Sequence, residues 1–262
     1  MQSVSIVIPC YNEETCLPPL HDKLKTLASK MSYVEFEFLY VDDGSTDQTV
    51  DVVKKLRLDD DRVNYLAFSR NFGKEGAILA GLEHSRGDFV AVMDADLQDP
   101  PELLEEMLQA IREGGYDCVA TRRATREGEP PVRSFFSRMF YKVINKLSET
   151  DIVDGVRDFR LMTRQFVDSV LRLTETNRFS KGIFSWVGFH TKYLPYNNIA
   201  RTSGETKWSF WQLFLYSLNG ITAFSTAPLG AATILGLVIS LTSFIFGVVL
   251  FVSYCFGGGV SP

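Results

Sequence analysis

The sequence predicts an α/β domain with a mostly parallel sheet, followed by a membrane-spanning helix. Three observations lead there. Apolar, β-rich runs alternate with amphipathic stretches over the first half of the chain. The strand candidates are apolar on both faces, as strands must be when helices cover both sides of a parallel sheet. Every Lys, Arg, Asp, Glu and His lies at or before Lys207, whereas Ala227–Tyr254 is continuously apolar or small.

Taken in order, the strand candidates are Val4–Pro9, Phe36–Val41, Val63–Phe68, Phe89–Met93 and Cys118–Thr121. Between and after them the amphipathic pattern predicts helices over Glu14–Met31, Thr46–Arg57, Lys74–His84, Pro101–Glu113 and Arg133–Leu147. Asp43-Gly44 is a turn signal, Ser45 or Thr46 suits a helix cap, and Pro100-Pro101 suits a helix start. The stretch "RRATREGEPP" (Arg122–Pro131) is the one long polar connection and is expected to form a mobile loop near the strand ends. The resulting organisation is an α/β domain over 1–200, an interfacial amphipathic region over 201–226, a transmembrane helix over 227–256 and a turn over 257–262.

Roughly 20 apolar residues span a bilayer, and the uncharged run is longer than that. Basic residues stay on the cytoplasmic side, so Arg201 and Lys207 just before the span predict a cytosolic N-terminal domain. Small residues at Ala232, Gly236 and Ser240 share one helix face and predict a homo-oligomer. About 28 residues at 1.5 Å rise give a run of about 42 Å, enough to cross with tilt. The closing "YCFGGGVSP" has the composition of a hairpin between two spans, so a chain shortened before a second span is expected.

With 262 residues, 45% apolar and 23% charged, a packed core is expected and disorder is not. A net charge of −5 argues against a nucleic-acid partner. Cys10, Cys16, Cys118 and Cys255 show no metal-type spacing, and without a signal-peptide pattern at the N-terminus a reducing compartment is expected.

The chemistry lies just past the end of each strand. "PCYNEE" (Pro9–Glu14) comes after the first, "DDGSTD" (Asp42–Asp47) after the second, "SRNFGKEGA" (Ser69–Ala77) after the third and "DADLQD" (Asp94–Asp99) after the fourth. In such a sheet ligands bind outside the carboxyl ends of the strands. Each motif alone has an ordinary turn or capping explanation, but four on one edge point to a site. Neither G-x-G-x-x-G nor G-x-x-x-x-G-K-[ST] is present, so a dinucleotide dehydrogenase and a P-loop enzyme are unsupported. A diphosphate must then be neutralised by a hard divalent cation held on carboxylates. Asp94 and Asp96, two residues apart, can aim at one ion if the backbone stays extended.

Together, "VIPCYNEE", "VDDGSTD", "RNFGKEGA" and "DADLQDPPE" resemble the family 2 glycosyltransferases of GT-A fold. "DFRLMTR", "KGIFSWVG" and "GITAFSTAPL" narrow the resemblance to the polyisoprenyl-phosphate glycosyltransferases, especially the bactoprenol glucosyltransferases of O-antigen modification and the dolichol-phosphate mannose synthases. The resemblance covers nearly the whole chain. It implies that Pro9, Tyr11, Glu13 and Asp42 hold the uridine of a UDP-sugar. It also implies that Asp94 and Asp96 bind Mg²⁺ or Mn²⁺ with the donor diphosphate. Gln98 would lie near the sugar, and Lys74 near the donor phosphates or ribose. The Q-x-x-R-W motif of processive synthases is absent, which favours a single transfer.

At the acceptor end the family's candidate base falls on Asp158, beside Arg160, which is expected to bind substrate. A phosphate monoester has a second pKa of about 6 and needs little deprotonation, so Asp158 either takes a residual proton or orients the acceptor. An ion pair between Asp158 and Arg160 is the structural alternative. Arg201 and Lys207 precede an aromatic-rich helix suited to the headgroup region, where they could meet a lipid phosphate. The expected protein is therefore an inverting transferase at the bacterial inner membrane, moving a sugar from a UDP-sugar to undecaprenyl-type phosphate. Glucose is the expected sugar, with mannose or an aminosugar as alternatives. Transfer to a lipid or glycan hydroxyl is the rival enzyme, and a non-catalytic nucleotide-sugar-binding partner the rival outside enzymes.

Overall fold

A computed structural model describes residues 2–124, 153–175, 178–196 and 227–257, together with single positions at 139, 142 and 145. The elements run β1 (Gln2–Cys10), α1 (Leu17–Lys30), β2 (Val34–Asp42), α2 (Thr49–Asp59), β3 (Val63–Ala67), α3 (Lys74–His84), β4 (Phe89–Val92), α4 (Leu103–Gly114) and β5 (Cys118–Arg123). After these come β6 (Val156–Thr163), α5 (Arg164–Leu171), α6 (Ser180–Trp186), β7 (Thr191–Tyr196) and α7 (Ala227–Gly257).

The strands form one sheet in the order β3-β2-β1-β4-β6-β5-β7. β1 pairs in parallel with β2 and β4, as does β2 with β3 and β5 with β7. Only β6 is antiparallel to its neighbours, β4 and β5. The mostly parallel α/β sheet expected from the alternation is therefore present, with one reversed strand inserted near its middle.

Alternation along the strands divides the core in two. Ile6, Ile8, Phe38, Tyr40, Val119 and Phe159 pack with α1 and α4 on one face. Val7, Leu39, Val41, Val90 and Met162 pack with α3, α5 and α6 on the other. Gly81 lets α3 approach the sheet, because a Cβ there would lie 2.1 Å from Val7 Cγ1 and 3.3 Å from Val41 Cγ2.

Several boundaries differ from expectation for local reasons. α1 starts at Leu17 rather than Glu14, since the amides of Cys16 and Leu17 both turn back to the carbonyl of Glu13. α2 starts at Thr49 rather than Thr46, because Asn12 Oδ1 takes the Thr46 amide at 2.8 Å. Neither Ser45 nor Thr46 caps it; its N-cap is Gln48. β6 and β7 are not among the strand candidates. β6 has Arg157, Asp158 and Arg160 among its first five residues, which breaks the apolar run, and β7 carries Pro195, which an edge strand tolerates.

α7 is 31 residues long, and Leu229–Phe256 is exposed throughout, long and apolar enough to cross a membrane. Most of the expected helix at 133–147 and the loop beyond Ala124 lie outside the described residues, as do the interfacial region with Arg201 and Lys207 and the closing turn after Gly257.

Gly81→Ala is expected to destabilise the chain by about 1–3 kcal/mol, because the added methyl forces Val7 or the helix to move. Chemical denaturation of the two proteins in detergent checks this, and an unchanged midpoint would show that the α3 contact yields freely.

Candidate active site

The site is built where β1, β2 and β4 end and β6 begins. The loops after β1 and β2 are zipped together by side chains. Asn12 donates its amide to Ser45 Oγ at 2.9 Å, and Glu13 donates its own to Thr49 Oγ1 at 2.8 Å. In return, Glu14 Oε2 accepts the Gln48 amide at 2.8 Å. Asn12 adopts φ 53, a left-handed conformation that asparagine tolerates better than most residues. This zipper groups Pro9, Tyr11, Glu13 and Asp42 at one edge: Pro9 and Asp42 are buried, Tyr11 and Glu13 half-buried. Asp42 Oδ2 accepts the Ser45 amide at 3.1 Å, while its buried Oδ1 has no hydrogen-bond partner among the described residues. A buried carboxylate oxygen left open in this way is suited to a ligand N–H.

Asp43 ties the next loop in, accepting the amides of Phe72 at 2.7 Å and Gly73 at 3.0 Å. Gly44 follows at φ +70, and a Cβ there would lie 2.4 Å from the Arg70 carbonyl carbon. Only glycine fits that backbone and that gap. The loop so held delivers Lys74, the first residue of α3.

Lys74 joins two strands. Its ammonium pairs with Asp94 Oδ1 at 2.6 Å and with Asp158 Oδ2. The sheet register explains the meeting. Val92 of β4 stands opposite Arg160 of β6, and continuing that antiparallel ladder two residues sets Asp94 opposite Asp158. Burial pushes the Asp158 carboxyl up, but the charges of Lys74, Lys181 and Arg160 and the bond from Lys74 outweigh it and hold Asp158 well below the usual carboxylate range. Lys74 is correspondingly raised: burial favours its neutral form, and the two carboxylates outweigh that.

Arg160 does not open onto this edge. It is 3% exposed, donates to the carbonyl oxygens of Asp158 and Arg157 at 3.3 and 3.0 Å, and lies 4.0 Å over the Phe184 ring. The guanidinium expected to touch substrate, or to form an ion pair with Asp158, instead braces the backbone behind Asp158. Lys181, the first residue of the "KGIFSWVG" stretch but not among the expected site residues, supplies charge beside Asp158 from α6. The start of α6 is itself fixed by Glu75, whose Oε2 accepts the Ser180 amide at 3.0 Å and the Ser180 hydroxyl.

Along "DADLQD" burial alternates. Asp94, Asp96 and Gln98 are half-buried, whereas Ala95, Leu97 and Asp99 are buried. The backbone does not stay extended here: it turns at Ala95 and Asp96, and Asp96 Oδ1 accepts the Gln98 amide at 3.1 Å, while both aspartates keep partial exposure. Their hard oxygens fit a divalent cation. Among the described residues no group of three or more His, Cys, Asp or Glu gathers to hold a metal. Further ligands for a cation would have to come from substrate or water.

Comparison with known proteins converges on one family. The sequence profile of "Glycosyl transferase family 2" matches residues 5–171. The Bacillus subtilis glycosyltransferase CsbB is 46% identical over 255 residues, covering 97% of this chain and 77% of the relative. A prophage bactoprenol glucosyl transferase homolog of Escherichia coli is 39% identical, covering 93% and 79%. Among solved structures, mannosyl-3-phosphoglycerate synthase from Rubrobacter xylanophilus superposes with a TM-score of 0.58 at 18% identity, over 85% of this chain and 72% of its own. Glucosyl-3-phosphoglycerate synthase from Mycobacterium tuberculosis, solved with Mn²⁺, UDP-glucose and phosphoglyceric acid, gives 0.54 at 18% identity, over 83% and 76%. These two share the GT-A fold with this chain.

Lys74→Met leaves Asp158 without its closest cation. A depressed folded pKa gives stability that is fully present above the unfolded value of about 4 and is lost as pH falls below it. The variant should therefore melt lower than wild type at pH 7, with the gap narrowing as pH falls through about 4. Paired thermal melts test this; a gap that is constant or widens toward acid would show that Lys74 does not hold Asp158 ionised.

Proposed function

Because the chain belongs to glycosyltransferase family 2, we propose that this enzyme transfers glucose, with inversion, from UDP-glucose to a polyisoprenyl phosphate at the cytosolic face of a membrane. The observation that carries the reading is the Lys74 bridge, which sets the donor-side carboxylate Asp94 beside the acceptor-side carboxylate Asp158. Relatives named as bactoprenol glucosyl transferases support the lipid acceptor, and the exposed apolar α7 supports a membrane setting. A GT-A neighbour solved with Mn²⁺ and UDP-glucose supports the donor and the cation.

Each group then has a part. The open Oδ1 of Asp42 accepts a uracil N–H, with Pro9, Tyr11 and Glu13 around the nucleoside. Asp94 and Asp96 would hold Mg²⁺ or Mn²⁺ with the donor diphosphate. A bound divalent cation there supplies electrostatic stabilisation of the departing UDP. A phosphate oxygen of the acceptor bonds to the anomeric carbon from the face opposite the diphosphate. The anomeric carbon–oxygen bond breaks and its electron pair leaves on UDP, so an α-linked donor gives a β-linked product.

The acceptor is the point on which the rival enzyme differs. A hydroxyl acceptor needs a general base, and at Asp158 the Lys74 ammonium already occupies Oδ2 and holds the carboxyl below its ordinary range. A phosphate acceptor needs none, so Asp158 serves to orient it, with Lys74 and Lys181 nearby to meet its charge. Arg201 and Lys207 are proposed to meet the lipid phosphate from outside the described residues, and α7 to bring chains together as a homo-oligomer.

Purified protein should move label from UDP-glucose into the lipid phase with polyprenyl phosphate and not with diacylglycerol. Labelled diacylglycerol would sink the reading, and a GDP-mannose or UDP-N-acetylglucosamine preference would replace the sugar. Asp96→Asn should abolish turnover with an unchanged melting profile. Asp158→Asn should lower kcat/KM for the acceptor by a similar factor at every pH from 5 to 9, since orientation does not titrate there. A variant that lacks the acid limb of the wild-type profile would make Asp158 a base after all.

A further inference from the structure

α6 is a helix whose cap comes from elsewhere in the chain. It spans seven residues, and its N-cap, Phe179, makes no side-chain capping bond. The amide of Ser180, a residue only 4% exposed, would otherwise be one of the orphaned donors of a helix start. Glu75, on the first turn of α3, satisfies it. Its Oε2 accepts the Ser180 amide at 3.0 Å and the Ser180 hydroxyl as well, across 105 residues of sequence. Further along, α6 is held by apolar contact: Ile183 and Phe184 are buried in the core, and Arg160 lies 4.0 Å over the Phe184 ring. Apolar burial is non-directional. The bonds to Glu75 are directional, and they set where the helix starts and how it is turned.

The proposed chemistry gives Glu75 no part, yet its neighbours on both elements are charged groups of the site. Consecutive residues diverge by about 100° around a helix axis. Lys74 can therefore reach Asp94 and Asp158 while Glu75 reaches α6. The residue after Ser180 is Lys181, whose charge acts on Asp158. With Arg160 it lines a small cavity between β6, α6 and β7 that has no carboxylate in its wall. Among the described residues the Lys181 ammonium forms no ion pair, whereas that of Lys74 is already shared by two carboxylates and Arg160 is turned inward. Lys181 is thus the cation left to meet an incoming phosphate.

We infer that Glu75 is a positioning residue for the acceptor: by capping α6 from α3, it holds Lys181 where the acceptor phosphate binds beside Asp158. The inference rests on the proposed phosphate acceptor.

Initial rates of the full chain in detergent test it, with polyprenyl phosphate varied at saturating UDP-glucose and Mn²⁺. Glu75→Met and Lys181→Met should each raise the acceptor KM by about five- to tenfold, the loss of one charge-assisted contact. Their kcat should change by less than about twofold, since a phosphate held equally in ground and transition states is uniform binding. The double variant should be no worse than the worse single one, because both remove the same contact. Glu75→Gln keeps an oxygen that accepts from Ser180 and should stay within about twofold of wild type. Calorimetric affinity for UDP with Mn²⁺ should be unchanged in Glu75→Met. If Glu75→Met fails to fold, Ser180→Ala, which loses only the hydroxyl bond, takes its place with an acceptor KM raised about threefold. An acceptor KM unchanged in the folded variant, losses that multiply in the double variant, a Glu75→Gln as impaired as Glu75→Met, or weakened UDP binding would overturn the inference alone. A wild-type chain that leaves polyprenyl phosphate unlabelled would overturn the acceptor reading and the inference with it.

Discussion

The ammonium of Lys74, shared between Asp94 and Asp158, is the interaction on which the arrangement of the site depends. Two carboxylates facing each other across a sheet edge repel, and partial burial makes the repulsion worse. A lysine between them turns that repulsion into a clasp. The clasp requires three things at once: a reversed strand in register with β4, a helix that begins at Lys74, and a loop that delivers that helix from β3. Asp43 and Gly44 secure the last, by gripping the amides of Phe72 and Gly73 and by leaving room for Arg70. The two cores secure the first by covering both faces of the sheet.

Backbone strain falls at the same edge. The two non-glycine residues with positive φ among those described, Asn12 and Leu97, lie in the loops after β1 and β4. Such conformations cost of order 1–3 kcal/mol and persist where surrounding contacts over-determine them. Around Asn12 those contacts are the zipper to Ser45 and Thr46; near Leu97 they are burial and the neighbouring bonds of Gln98 and Asp99. Hydrogen bonds and burial thus offset the strain in the loops after β1 and β4.

Local features are legible in the sequence. The run Lys74–His84 forms a helix with the expected bounds, and the four parallel strands β1 to β4 appear where apolar runs stop at polar groups. Asp94 and Asp96 stand out because two charges rarely end a buried strand. The pairs that build the site around them are not legible, because their members are far apart in the chain. Lys74 and Asp158 are separated by 84 residues, and Arg157 and Asp99 by 58. β6 escapes the pattern because Arg157, Asp158 and Arg160 break the apolar run at its start, although each sits where the sheet has a specific use for it. Arg160 shows the same limit from the other side: its residue type suits a substrate phosphate, and only tertiary structure turns it inward over Phe184.

The exposed flank of α7 has a consequence for the protein as a physical object. Side chains such as Leu235, Ile239, Phe246 and Phe251 each leave more than half their surface uncovered. Water does not tolerate an apolar rod of this length, since each Å² of such surface costs about 25 cal/mol. The rod must be sheathed by lipid, by detergent or by other helices. The particle that diffuses, sediments or elutes is therefore the chain together with its sheath, and its apparent mass changes with whatever supplies that coat.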